Sequence, residues 1–362
     1  MLNQNLSLKN LAASIVVAGM AFGMGSAHAS SIASMPGMAV TPLITAGAPP
    51  DTPADRIDPN VPTSRFSGVV SINIRYDGKS FICSGALVGK RQVISAGHCV
   101  DTDGNGTFVD LKKPGTDVRV VFNATATGAG AAVVTATKVA VQQDYKGFGN
   151  CPAGVDSFCV NDDLSVITLG QDAPAGAKIY KVAVNPLNAG TRITMVGYGT
   201  SGDGVDGYYV SPSFRIKRSG ENYVDLFDRD DEQGFTGPRE VYYADFDGQG
   251  QDTFCDLFGV CTPILPNNRE ANIGGGDSGG PSFVEMYGEL MLVANNTFGG
   301  TFEGQVPGTF GTYFGGIILG AYKEFLFDAT GGNVSLVPEP AGIALFGLGA
   351  LMAGGVRRRK QK

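Results

Sequence analysis

The chain has 362 residues and a formal charge of −7, from 27 basic and 34 acidic side chains. Six of the basic residues (Lys9, Arg357, Arg358, Arg359, Lys360 and Lys362) lie at the two ends, and no Asp or Glu precedes residue 30 or follows residue 340, so the body between carries 21 basic against 34 acidic groups, −13. Such a body has no electrostatic reason to hold nucleic acid, and its length allows a substantial core.

Residues 1–29 contain Lys9, an apolar run from Leu11 to Met24, and Ala27-His28-Ala29. A small-x-small ending after a short apolar stretch is what a signal peptidase accepts, so 1–29 is read as a signal peptide and the protein as exported. Residues 30–56 are then a propeptide or N-terminal extension. From Ile57 onward, short alternating or apolar runs recur: Gly68 to Arg75, Ala86 to Ser95, Val118 to Asn123, Ala132 to Val141, Leu164 to Leu169, Arg192 to Tyr198, Tyr242 to Phe246 and Glu289 to Asn295. Gly, Asn and Asp cluster between them, which predicts an all-β body, sandwich or barrel.

Six cysteines in an exported chain point to disulfides. Fifteen pairings exist, but three couples are close in sequence: Cys83 with Cys99, Cys151 with Cys159, and Cys255 with Cys261. Each would stabilise the fold by roughly 2–3 kcal/mol. Metal ligation by these thiols is the weaker reading, because imidazole partners are missing. Two acidic loops, Asp101-Thr-Asp-Gly-Asn-Gly-Thr107 and Asp245-Phe-Asp-Gly-Gln-Gly250, place oxygens at alternating positions as calcium loops do. The twelfth position from Asp101 is Lys112, where an EF-hand needs a bidentate Glu, so solvated turns are preferred to structural calcium. No cofactor is expected to be required.

The chain closes with Val337-Pro338-Glu339-Pro340, an apolar stretch from Ala341 to Val356, and a basic cluster from Arg357. That stretch reaches ~24 Å as a helix, just short of a hydrocarbon core. The arrangement resembles the PEP-CTERM sorting signal of Gram-negative, exopolysaccharide-producing bacteria. The resemblance implies membrane association through 337–362 before an exosortase-type enzyme cuts near the box. It also implies a final location in the periplasm, at the cell surface or in the extracellular matrix. An ordinary membrane anchor is the alternative.

Once the leader is removed, one histidine remains, His98. It ends the segment Phe81 to Cys99, two apolar strands joined by a polar turn and closed by Ala96-Gly-His-Cys99. A second segment is Gly274-Gly-Gly-Asp-Ser-Gly-Gly-Pro281, and a third is Asn161-Asp162-Asp163-Leu164 leading into an apolar run. Together these resemble the histidine, serine and aspartate segments of chymotrypsin-type serine peptidases. The resemblance implies two antiparallel six-stranded barrels, a catalytic cleft between them and a short C-terminal helix. It places the first barrel at 57–188, the second at 189–330 and a linker at 331–336. It implies a triad of His98, Asp163 and Ser278, with Asp162 as the fallback carboxylate. It also implies a Cys83–Cys99 bridge that pins the histidine loop and an oxyanion hole from the N–H groups of Gly276 and Ser278. Gly279 and Gly280 would let a substrate backbone approach. Tyr198, in Met195 to Thr200, stands where the family carries Trp. The pattern around Ser278 also fits a lipase-type nucleophile elbow, but that fold needs a histidine after the serine, and none follows.

Departures matter too. Counting back from Ser278 puts the base of the specificity pocket at Asn272, a neutral residue, so a preference for Arg or Lys is not expected. Family activation needs a freed Ile or Val amino terminus paired with the acid before the serine, here Asp277. Arg56-Ile57 is the candidate cut, although Asp58-Pro59-Asn60 replaces the usual hinge. The expected function is exported serine endopeptidase, acting on protein or peptide. The alternative is a catalytically weak protease-fold protein that binds at a surface or in a matrix.

Overall fold

The computed structural model describes residues 38–40, 43–125, 128–184 and 187–338. The expected signal peptide and nearly all of the C-terminal sorting segment lie outside them. Among the described residues no helix is long and apolar enough to cross a membrane. The chain is mostly strand (43%) with 5% helix, as the short apolar runs require.

Six strands form a closed barrel: β1 (Val69–Tyr76), β2 (Lys79–Leu87), β3 (Gln92–Ser95), β4 (Asp117–Thr125), β5 (Gly128–Val141) and β6 (Ser165–Leu169), in the order β1-β2-β3-β6-β5-β4. Pairing of Ser71 with Val121 closes the ring between β1 and β4. The β1–β2 hairpin turns on Asp77 (φ 49°) and Gly78 (φ 75°), the left-handed pair that a two-residue turn demands. Val70, Ile72 and Ile74 point into the barrel with Val93, Val118, Val120 and Ile167. Val69, on the opposite face of the same strand, packs toward the second half beside Tyr198 and Phe283.

The second half uses β7 (Arg192–Gly197), β8 (Lys217–Tyr223), β9 (Leu226–Asp230), β10 (Thr236–Asp245), β11 (Pro281–Met286), β12 (Glu289–Phe302) and β13 (Tyr313–Ile318). The ladder runs β9-β10-β13-β12-β11-β7-β8. Strands β8 and β9 are consecutive in the chain and bend at Val224-Asp225, so one bent strand pairs with β7 before the bend and with β10 after it. The Asp225 N–H donates to the Tyr243 carbonyl (2.9 Å) and the Asn222 amide to the Asp245 carbonyl (2.8 Å), which brings the circuit round on itself. Helix α1 (Thr253–Phe258) follows β10, and α2 (Lys323–Ala329) is the short helix expected near the C-terminus.

The expected boundary at residue 57 shifts. Ile57–Asp58 pairs with Lys217–Arg218 of the second half, and the first barrel begins at Val69. The described part of 30–56 is not a detached extension. Leu43–Ile44 forms a strand with Ile273–Gly274, and the Thr45 and Ala46 N–H groups donate to the Asn272 and Gly202 carbonyls.

Candidate active site

His98 follows β3, and Asp163 immediately precedes the residue before β6, the neighbour of β3 in the barrel. The β3–β6 register therefore brings the two side chains together. The Asp163 carboxylate is fully buried and receives both the His98 backbone N–H (2.7 Å, Oδ1) and ring Nδ1 (2.6 Å, Oδ2). A buried carboxylate needs such partners. Asp162 faces elsewhere: its N–H donates to the Tyr322 hydroxyl (3.0 Å), and its Oδ1 accepts from the Gln142 amide (3.2 Å). Burial pushes the His98 imidazole toward its neutral form, but the Asp163 charge and hydrogen bond, helped by Asp101, outweigh it and raise the pKa above the usual 6.5.

All three expected disulfides are present. Cys83–Cys99 ties β2 to the residue after His98. The loop closed by Cys151–Cys159 carries Phe158 onto Phe148, whose ring meets the His98 ring edge-on at 5.5 Å. The sequence reading missed this aromatic support, because nothing in the local pattern marks it.

Ser278 reaches the same place from the other half. Its carbonyl accepts from the Ser84 N–H (2.9 Å), and Cys99 Sγ lies 3.7 Å from that carbonyl and 3.9 Å from His98 Nε2. Ser84 Oγ also donates to the Gly276 carbonyl (2.8 Å) and accepts from the Tyr198 N–H (3.0 Å), so one residue of β2 holds the serine loop at two points and the end of β7 at a third. Among the described residues Ser278 Oγ makes no hydrogen bond to His98, and neither the Gly276 nor the Ser278 N–H has a protein acceptor. Gly276 adopts φ 99°, a conformation that other residues resist.

Residues 58–213 match the family model Trypsin. The trypsin-like stretch is less than half of the chain; it contains His98 and Asp163 and ends before Ser278. The match supports a serine-peptidase type of function with protein or peptide substrates. The fold and the disulfides are compatible with export. No curated protein matches the chain.

One expectation requires correction, and the activation cut meets a constraint in the uncut chain. The glycines after Ser278 serve close packing: a side chain on Gly279 (φ 78°) would meet Ser95 Oγ of the first barrel at 2.2 Å, and one on Gly280 the Val196 carbonyl of its own half at 2.6 Å. Ile57 does not reach Asp277. It is 46% exposed on the edge of β8, while Asp277 accepts N–H groups from Ile44 (2.9 Å), Gly199 (2.7 Å) and Gly274 (2.6 Å). The Arg56 guanidinium is itself buried against Asp51 and the carbonyls of Asn267, Arg269 and Glu270. Ile44 carried no local signal, since a two-residue strand looks like any short apolar pair.

Asn272 is buried. Its amide donates to Thr312 Oγ1 (2.8 Å) on the opposing segment, and its Oδ1 accepts from the Ile273 N–H. Asn295 sends its amide toward the Asp163 and Ser95 carbonyls, linking β12 to the aspartate loop.

Proposed function

We propose that the protein is an exported serine endopeptidase that uses Ser278, His98 and Asp163 through an acyl-enzyme. The observation that carries the reading is the buried Asp163 carboxylate holding both the main chain and Nδ1 of the only histidine in the body. That contact fixes the tautomer, leaving Nε2 to take a proton. The reading requires Ser278 Oγ to come within hydrogen-bond reach of Nε2. Contacts of this kind are often long before substrate binds.

In the proposed cycle Ser278 Oγ attacks the peptide carbonyl carbon as its proton passes to His98 Nε2. The Gly276 and Ser278 N–H groups receive the developing oxyanion, and donors of this kind are worth about 3–4 kcal/mol each. The imidazolium, stabilised by ionised Asp163, returns the proton to the leaving amine. Water, activated by the same imidazole, then releases the acyl group and restores Ser278. The cycle needs no metal or cofactor. Asn272 makes the pocket base neutral and favours uncharged side chains before the cut bond. Cleavage by signal peptidase after Ala29 and exosortase-type processing near Pro338 complete the proposed maturation.

A fluorophosphonate tests the reading: it should label Ser278 in folded protein and leave His98→Ala unlabelled. Unmodified Ser278 in folded wild type would instead favour a surface or matrix binding protein. The missing hydrogen bond between Ser278 Oγ and His98 is the one observation on that side.

A further inference from the structure

The loop from β10 to α1 is not a solvated turn. Asp245 is 1% exposed and Asp247 4%, and they converge with Asp252 so that one oxygen of each lies within 4.8 Å of the others. Two oxygens on a calcium coordination sphere of ~2.4 Å radius stand at most ~4.8 Å apart. Glu270, 1% exposed, comes from a distant segment to lie beside this cluster, where its charge acts on Asp247. Its Oε2 accepts the Leu265 N–H (3.1 Å), but Oε1 has no hydrogen-bond partner, and neither does Asp247 Oδ1. Unpaired buried carboxylate oxygens are costly, and one that belongs to a tight acidic cluster, with a second on a neighbouring acid, calls for a cation.

The remaining oxygens are already partly used in a way that orients the rest. Asp245 Oδ2 accepts the Phe254 N–H (2.7 Å), and Asp252 Oδ1 caps α1 through the Cys255 N–H (2.9 Å). Asp225 accepts from Thr262 Oγ1 and from the Asp245 N–H, which positions the Asp245 main chain. None of these five acids takes part in an ion pair among the described residues, and Arg56, which touches the Glu270 carbonyl, is matched to Asp51.

We propose that Asp245, Asp247 and Asp252 form a structural calcium site, with the Glu270 charge beside it, that steadies the β10–α1 loop against the segment leading into Asn272 and Ser278. The donors are all hard carboxylate oxygens, with no imidazole or thiolate, and their spread suits calcium better than the tighter octahedron of magnesium.

The test uses the full chain, stripped with EGTA. Millimolar Ca2+ should raise Tm by roughly 5–10 °C over EGTA, with magnesium giving much less. Titration calorimetry with calcium chloride at pH 7 should show a saturable binding heat. Asp247→Asn should abolish the calcium-dependent shift, and Glu270→Gln should reduce it. Both should still fold in EGTA with Tm no lower than wild type, because each removes a buried charge. Asp103→Asn, in the other acidic loop, should keep the shift. Equal Tm in calcium and EGTA with no binding heat overturns the proposal, as does a shift that survives Asp247→Asn but disappears in Asp103→Asn.

Discussion

The two halves of the molecule handle charge in opposite ways. In the first barrel Asp101 and Asp103 begin an Asp-x-Asp-Gly loop whose carboxylates are consumed locally: Asp101 accepts N–H groups from Asp103, Gly104 and Gly106, and Asp103 those of Asn105 and Thr107. In the second half Asp245 and Asp247 begin the same pattern, yet the loop turns inward to meet Asp225, Asp252 and Glu270. A local motif therefore says what a loop can offer, whereas burial decides whether it needs an outside partner. The same contrast holds around the site. His98 and Asp163 are fastened by neighbouring strands of one closed barrel, while Ser278 depends on contacts from outside its own ladder, at Ser84 and, through Asp277, at Ile44.

The strongest challenge to that contrast is to remove one reacting group from each half. Ser278→Ala and His98→Ala should each lower kcat for peptide cleavage on the order of 10^5-fold, and the double variant should be no worse than either, because the two act as a unit. Additive losses would show that the halves work separately. Removing single links between segments comes next. Replacing Cys83 and Cys99 by serine should cost about 3 kcal/mol of stability, against about 2 kcal/mol for Cys255 and Cys261, whose loop is shorter, as denaturant titration would show. The reverse order would mean that the second half relies on its own bridge more than loop length allows.

Ile44→Pro deletes one of three N–H donors to buried Asp277 and should cost roughly 1–3 kcal/mol together with part of the activity. Ile57→Ala, on an exposed edge, should leave kcat/KM within about twofold. N-terminal sequencing of active protein should find a start before Leu43; an active form that begins at Ile57 would restore the activation cut. The smallest effect is on pH. Catalysis needs neutral His98, so kcat/KM should fall as pH drops, with its midpoint above 6.5. Stability runs the other way: the favourable imidazolium–Asp163 interaction is complete below the unfolded pKa and is lost as pH rises through the higher folded one. Asp163→Asn should bring the midpoint down while removing most activity.

Much of the site was readable in one dimension because its chemistry is concentrated in short segments. The run from Phe81 to Cys99 carries a strand pair, a bridge cysteine and the imidazole. Alternation in Val69 to Ile74 was enough to foresee which face enters the barrel. The choice of Asp163 over Asp162 followed from its place at the head of the apolar strand, and the hydrogen bonds to His98 fall on Asp163. The glycines after Ser278 were misread because their spacing is the same whether a substrate or Ser95 comes close.

By itself the chain determined its strands, its bridges and the residues able to do chemistry, since each depends on side chains a few positions apart. Only the tertiary structure decided that Ile44 rather than Ile57 meets Asp277, that one bent strand brings the second circuit round, and that Glu270 joins Asp247. Those outcomes depend on burial and on contacts between segments more than 20 residues apart, and a buried charge takes whichever partner the packing delivers.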